Sequence, residues 1–134
     1  MEDLYHQVVE SVSEGILVAD NDEIIRVWNK GAEVIFGYTA AEAIGSSLAL
    51  IIPNQFLARH QRGYERVIST GETIYKSEML CVPACHKDGR RISIEFSVNI
   101  IIQNSKVVGI SAVIRDVTEK WNKEQADLKS VGRS

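Results

Sequence analysis

Two groups of residues have the types and spacing to do chemistry. The first centres on His60, inside a stretch that opens at Pro53 and closes at Gly71, a start and a stop that suit one helix. Phe56, Leu57, His60, Tyr64, Val67 and Ile68 recur at spacings of three and four, while Arg59, Arg62, Glu65 and Arg66 lie on or beside the other side. His60 therefore shares the inward stripe. An inward imidazole has two uses: it hydrogen-bonds a neighbour, or it ligates a metal or haem iron. Spacing alone leaves both open. The second group is Cys81, Cys85 and His86. A structural zinc site needs four ligands, and this cluster offers three, on or beside a strand where successive side chains alternate faces. It reads as ordinary reduced cysteines, and a cytosolic setting disfavours a disulfide between them.

Catalytic constellations are missing. The chain has no G-x-S-x-G elbow, no phosphate-binding glycine loop and no Cys-His-Asp set at credible spacing, so a non-enzymatic role is expected. With 134 residues, 45% hydrophobic and 25% charged, it has the size and balance of one globular core with a short appendage. A net charge of −3 with dispersed arginines argues against a nucleic-acid partner. The apolar runs fall far short of the roughly eighteen residues that cross a bilayer, and the acidic start is unlike a signal peptide. The expectation is a cytoplasmic protein with no membrane insertion.

The elements that must position these residues can be read in order. Leu4, Tyr5, Val8, Val9 and Val12 make one stripe of an amphipathic helix. Ile16–Ala19 and Ile24–Trp28 read as strands joined by the turn Asp20-Asn21-Asp22-Glu23. Asn29 is placed to cap a helix over 30–36 that Gly37 ends, and Thr39 with Glu42 forms a capping box for the next turn. After the central helix, Thr73–Val82 reads as a strand confined to an edge by Pro83. Lys87-Asp88-Gly89-Arg90 turns the chain. Ile92, Ile94, Phe96, Val98 and Ile100 then alternate strictly with polar residues, and Val107–Arg115 makes a last strand with two rather apolar faces. From Asp116 the pattern is helical, with Val117, Trp121, Leu128 and Val131 in heptad-like register.

At this point specific stretches carry a resemblance. Trp28-Asn29-Lys30-Gly31-Ala32-Glu33-Val34-Ile35-Phe36-Gly37-Tyr38-Thr39-Ala40-Ala41-Glu42-Ala43-Ile44-Gly45 resembles the N-x-A-x-x-x-x-G-Y-x-x-x-E-x-x-G run of PAS domains. Lys87-Asp88-Gly89 and Arg115-Asp116-Val117-Thr118-Glu119 are similar to the family's K/R-D-G turn and R-D-I/V-T-E exit. The resemblance implies an α+β PAS fold: a five-stranded antiparallel sheet with short helices on one face, an N-terminal cap helix and a C-terminal exit helix. The expected division is 1–13 cap helix, 14–117 sensor and 118–134 connector. The function implied is that of a bacterial-type sensory module that passes a signal to an output domain such as a histidine kinase or cyclase.

Within the family, the segment from Ile52-Pro53 through His60 to Thr70-Gly71-Glu72 is similar to haem-binding PAS oxygen sensors of the FixL type. That similarity implies haem b, with His60 as the iron ligand, Arg66 near a propionate, and Ile94, Phe96 and Val98 on the strand that faces the haem, while Tyr64 stands one residue beyond the tyrosine of those sensors. From patterning, the pocket is expected between the helix around His60 and the dry strand faces bearing Ile94, Phe96, Val98, Ile110, Ala112 and Ile114. Leu80 stands where those sensors place an arginine over bound oxygen, and that loss of a charge-assisted hydrogen bond makes carbon monoxide, nitric oxide or redox sensing the better fit. Met79 is one residue out of register for a sixth ligand. The region of the N-C-R-F-L-Q motif of flavin photoreceptors holds Ser46-Ser47-Leu48-Ala49-Leu50 instead. Non-covalent FAD, a small organic ligand, or no cofactor in a pure dimerisation module remain the alternatives. The apolar stripe of the first helix, the outer face of the last strand and the exit helix lead to the expectation of a parallel homodimer, with the first helix capping the outer sheet face.

Overall fold

The computed structural model describes residues 3–72 and 80–132, the last three without their side chains. Five antiparallel strands form one sheet in the spatial order β2-β1-β5-β4-β3. They are β1 (Gly15–Asp20), β2 (Ile25–Trp28), β3 (Leu80–Cys85), β4 (Arg91–Gln103) and β5 (Lys106–Asp116). Helices α1 (Leu4–Ser11), α2 (Lys30–Phe36), α3 (Ala40–Ala43), α4 (Leu57–Thr70) and α5 (Thr118–Gly132) complete it. This is the expected α+β architecture, with β3 at an edge, where its Pro83 interrupts no central ladder.

Alternation sorts the sheet into two faces. Ile92 and Ile94 of β4, Ile110, Ala112 and Ile114 of β5, and Leu17 and Ala19 of β1 are buried in one cluster. The cluster also takes in Ala32, Ile35 and Phe36 of α2, Ala43 of α3 and Tyr64 of α4. The core thus lies between the inner sheet face and the helices that follow β2.

One polar side chain is sealed within it. Asn29, fully buried, caps α2: its Oδ1 accepts from Ala32 N at 2.9 Å and Ile16 N at 2.7 Å, and its Nδ2 donates to Val9 O at 2.7 Å and Glu14 O at 3.1 Å. A capping residue has become the junction of α1, β1 and α2. Gly31 makes the approach possible, since a Cβ there would stand 2.1 Å from Glu14 O.

Two expectations are corrected. The central helix begins at Leu57, because Pro53 leads into a 3-10 turn over Asn54–Phe56. Within one chain α1 caps no sheet: it lies against α2, and Leu4, Tyr5 and Val8 of its stripe are exposed. The strand read from Thr73 is seen from Leu80 onward; its first residues and Met79 lie outside the described residues.

Candidate functional site

The inner-face site is built on the turn between β1 and β2. Asp20 closes β1 and organises that turn, its carboxylate accepting from the amides of Asp22 at 2.9 Å and Ile24 at 3.0 Å and from Arg26 Nε at 2.8 Å. Burial pushes the Asp20 carboxyl up, but these amides and the guanidinium together hold it below its ordinary value. The turn sets Glu23 at φ 65°, a left-handed conformation unusual for a side-chain-bearing residue. The Glu23 carboxylate is thereby brought against α4.

Two residues of α4 meet this turn. The Tyr64 hydroxyl donates to Asp20 O at 2.5 Å and Ala19 O at 3.2 Å, fastening the helix to the end of β1. Burial, then the negative charges of Glu23 and Asp20, push its phenol well above the ordinary tyrosine value. One turn earlier His60 packs its ring 5.8 Å from that of Tyr64 and places Nε2 2.7 Å from Glu23 Oε1. The distance is that of an ion pair, yet the direction misses that of a hydrogen bond, so Nε2 is buried without a hydrogen-bond partner among the described residues.

The residues expected to line a cofactor site separate into three sets. Tyr64, Ile94, Ile110 and Ala112 are brought together in the buried core, with Phe96 and Val98 half-buried against it. Leu80 is half-buried on the edge strand, opposite Phe96. Arg66, expected near a haem propionate, is exposed on α4. The buried, unbonded Nε2 of His60 suits a ligating nitrogen. Iron, however, would need to come closer than the 2.7 Å at which Glu23 already stands. The residues as placed do not fit haem unless Glu23 withdraws.

On the opposite face, the exit from the sheet is tied down. Val117 N donates to Ser93 O at 2.9 Å, and Ser93 N donates to Thr118 Oγ1 at 3.0 Å, so α5 begins as an attachment to the start of β4. Beyond it, Val117, Lys120, Trp121 and Glu124 of the exit region enclose a cavity of about 130 Å³ against Cys81 and Glu95. Cys81 and Cys85 are free and lie four residues apart on one strand, roughly 13 Å, too far to share an ion. Among the described residues no three His, Cys, Asp or Glu are grouped to hold a metal.

His86 is a contact that sequence reading missed. Its ring lies on Gly37, where a Cβ would come within 2.5 Å of Cε1, and Gly37 itself has φ 81°. The same loop is held by Lys87 N on Phe36 O at 2.9 Å and by Lys87 Nζ on Glu42 at 2.6 Å. Glycine at position 37 was legible as a helix stop; that it also seats an imidazole from the β3–β4 turn was not.

A family model described as PAS fold matches residues 3–117. The chain is 27% identical over 111 residues to the oxygen sensor protein DosP of Escherichia coli, covering 82% of this chain and 14% of that protein. It is 23% identical over 112 residues to the sensor protein FixL of Bradyrhizobium diazoefficiens, covering 84% and 22%. The chain thus spans less than a quarter of the curated relatives it matches. Among solved structures, a PAS domain from Colwellia psychrerythraea superposes with a TM-score of 0.74 at 25% identity, covering 86% of this chain and 95% of that one.

Proposed function

The chain belongs to the PAS family, and from that premise we propose that it is a regulatory rather than catalytic module, one that converts a change in its inner core into a displacement of α5. The observation that carries this reading is the α5 junction. Ser93, whose N–H and C=O both hold the start of α5, sits between Ile92 and Ile94, which are buried in the core. A strand is stiff and its side chains alternate, so a shift on the inner face at Ile94 moves Ser93 on the outer face. The output domain, a histidine kinase or cyclase, would take its signal from α5. Two copies would meet through α1, the outer sheet face and α5, where Leu4, Tyr5, Val8, Val113 and Leu128 are exposed, in a cytoplasmic protein.

Hydrogen exchange tests the relay. A small cavity made by Ile94→Val should accelerate amide exchange in the first turns of α5. It should do so less in a Thr118→Val background, where the bond from Ser93 N is lost and only that from Val117 N to Ser93 O remains. Unchanged exchange in α5 on Ile94→Val would remove the proposed path.

A second reading, haem b bound through His60, is favoured by the buried and unbonded Nε2. It draws support from the similarity to a protein named as an oxygen sensor. Haem would supply gas or redox chemistry at its iron; the chain would supply the His60 imidazole to hold it and an apolar wall from Ile94, Ile110 and Ala112. Titration with hemin separates the readings. A Soret band that His60→Ala abolishes and Glu23→Ala strengthens supports haem, and its absence in both wild type and Glu23→Ala leaves a core without it.

A further inference from the structure

The outward face of α4 is unlike the rest of the surface. At about 100° per residue, Arg59, Arg62 and Arg66 fall within roughly 60° of arc on the side turned away from His60, Tyr64 and Val67, with Gly63 at the flank between the two sides, and all four are exposed. Elsewhere among the described residues Arg26 pairs with Asp20, Arg90 with Asp88 and Arg115 with Glu14, and Arg91 stands singly at the start of β4. Among the described residues Arg59, Arg62 and Arg66 have no carboxylate partner. A chain of net charge −3 thus gathers on one helix three guanidinium groups without a carboxylate partner among the described residues, in one row about 10 Å long.

Gly63 is an independent observation at the flank of that row, beside Arg59 and Arg66. Glycine is the poorest helix former after proline, and in a helix interior it needs a reason. Among the described residues no such reason is found. A Cβ at Gly63 would meet nothing within 4 Å, and its φ is not in the left-handed range. The position is open on its own protein, so what glycine provides there is a flat spot beside the arginines, where another backbone can come close.

We propose that this face of α4 is a docking surface for an acidic helix of a partner protein, whose carboxylates pair with Arg59, Arg62 and Arg66 while its backbone packs on Gly63. Guanidinium groups bind carboxylates by paired N–H donors, and glycine at a helix crossing shortens the interaxial distance that side chains otherwise set. A polyanion such as nucleic acid or a lipid surface fits less well. The chain as a whole is acidic, the helix adds no lysine to the row, and its one tyrosine is buried rather than available to stack on a base.

Fluorescence anisotropy on the whole chain tests the assignment with four probes. They are a labelled alanine-based peptide of roughly 20 residues, helical on its own, with glutamates along one face; its lysine counterpart; single-stranded oligothymidine; and phosphatidylserine vesicles. The glutamate peptide should bind at low ionic strength, with affinity falling as salt is added, and the lysine peptide should not. Arg59→Gln/Arg62→Gln/Arg66→Gln should weaken it about tenfold or more, and Gly63→Leu should weaken it with every arginine intact. Gly63→Ala, which fits the open space, should raise the urea midpoint, showing that the fold does not require this glycine. Circular dichroism confirms that each variant is folded. Absence of binding by the glutamate peptide, equal binding by the triple glutamine variant, or preference for oligothymidine or vesicles would each overturn the proposal.

Discussion

Tyr64→Phe removes one oxygen atom from the seat of α4 and leaves the ring. The hydroxyl donates to Asp20 O and Ala19 O, and the side chain is only 7% exposed. A lost hydrogen bond costs about 0.5–1.5 kcal/mol net, and more where its acceptor is stranded. Asp20 O is not stranded, because Glu23 N still donates to it at 3.0 Å. The expected loss is therefore about 1 kcal/mol, or roughly 4 °C in Tm, read from urea midpoints at constant m-value. The pH dependence is the sharper part of the test. The phenol is raised above its ordinary 10.0 in the folded chain, so the fold favours the protonated form. That stabilisation is complete below pH 10 and is lost as pH climbs from 10 toward the raised folded value. The gap between wild type and Tyr64→Phe should accordingly be constant from pH 6 to about 9 and close above 10. The other tyrosines titrate in both proteins and cancel. A gap that is absent at pH 7, or one that widens above pH 10, would refute the hydroxyl as the anchor of α4.

Further outcomes follow from single positions. Asn29→Ala deletes four buried hydrogen bonds and should cost about 3 kcal/mol or prevent folding at 37 °C, as shown by chemical denaturation. Asn29→Asp keeps the acceptor that caps α2 but points a carboxylate at Val9 O and Glu14 O; that carboxyl would be raised, so the variant should regain stability as pH falls from 7 to 4, and a loss over that range would contradict it. Gly37→Ala must tolerate φ 81° and displace His86, whereas Gly45→Ala meets φ 93° with nothing within 4 Å; the first should cost about 2 kcal/mol or more and the second about 1, and equal midpoints would mean that the imidazole yields freely. Thr118→Val should speed amide exchange at the start of α5 with little change in Tm, since it removes the bond from Ser93 N and leaves the core untouched.

What was legible in the sequence was whatever a local pattern dictates. The alternation in β4, the Asn29 cap, the Thr39–Glu42 capping box and the turn at Lys87–Arg90 each depend on residues within a few positions of one another, and each stands where expected. The face of α4 was legible for the same reason: a helix turns 100° per residue whatever it packs on. Its partners were not. Glu23 belongs to a turn on β1, and it reaches His60 only because β5 crosses between β1 and β4 and lets α4 lie over the end of β1. Nothing near His60 in sequence signals that carboxylate, so an inward histidine was open to being read as a ligand for iron when its nearest neighbour is an acid. The same holds for His86, whose seat on Gly37 joins two turns far apart in the chain. Arg66 shows phase at work: its spacing put it beside Arg59 and Arg62 on the outer side of α4, and all three are exposed. The helix that holds His60 against Glu23 on one side thus offers a row of guanidinium groups on the other. Any partner that shifted α4 by pairing with that row would strain the Tyr64 hydroxyl against Asp20 O and alter the His60–Glu23 distance, so occupancy of the outside and geometry of the inside are bound by one rigid element.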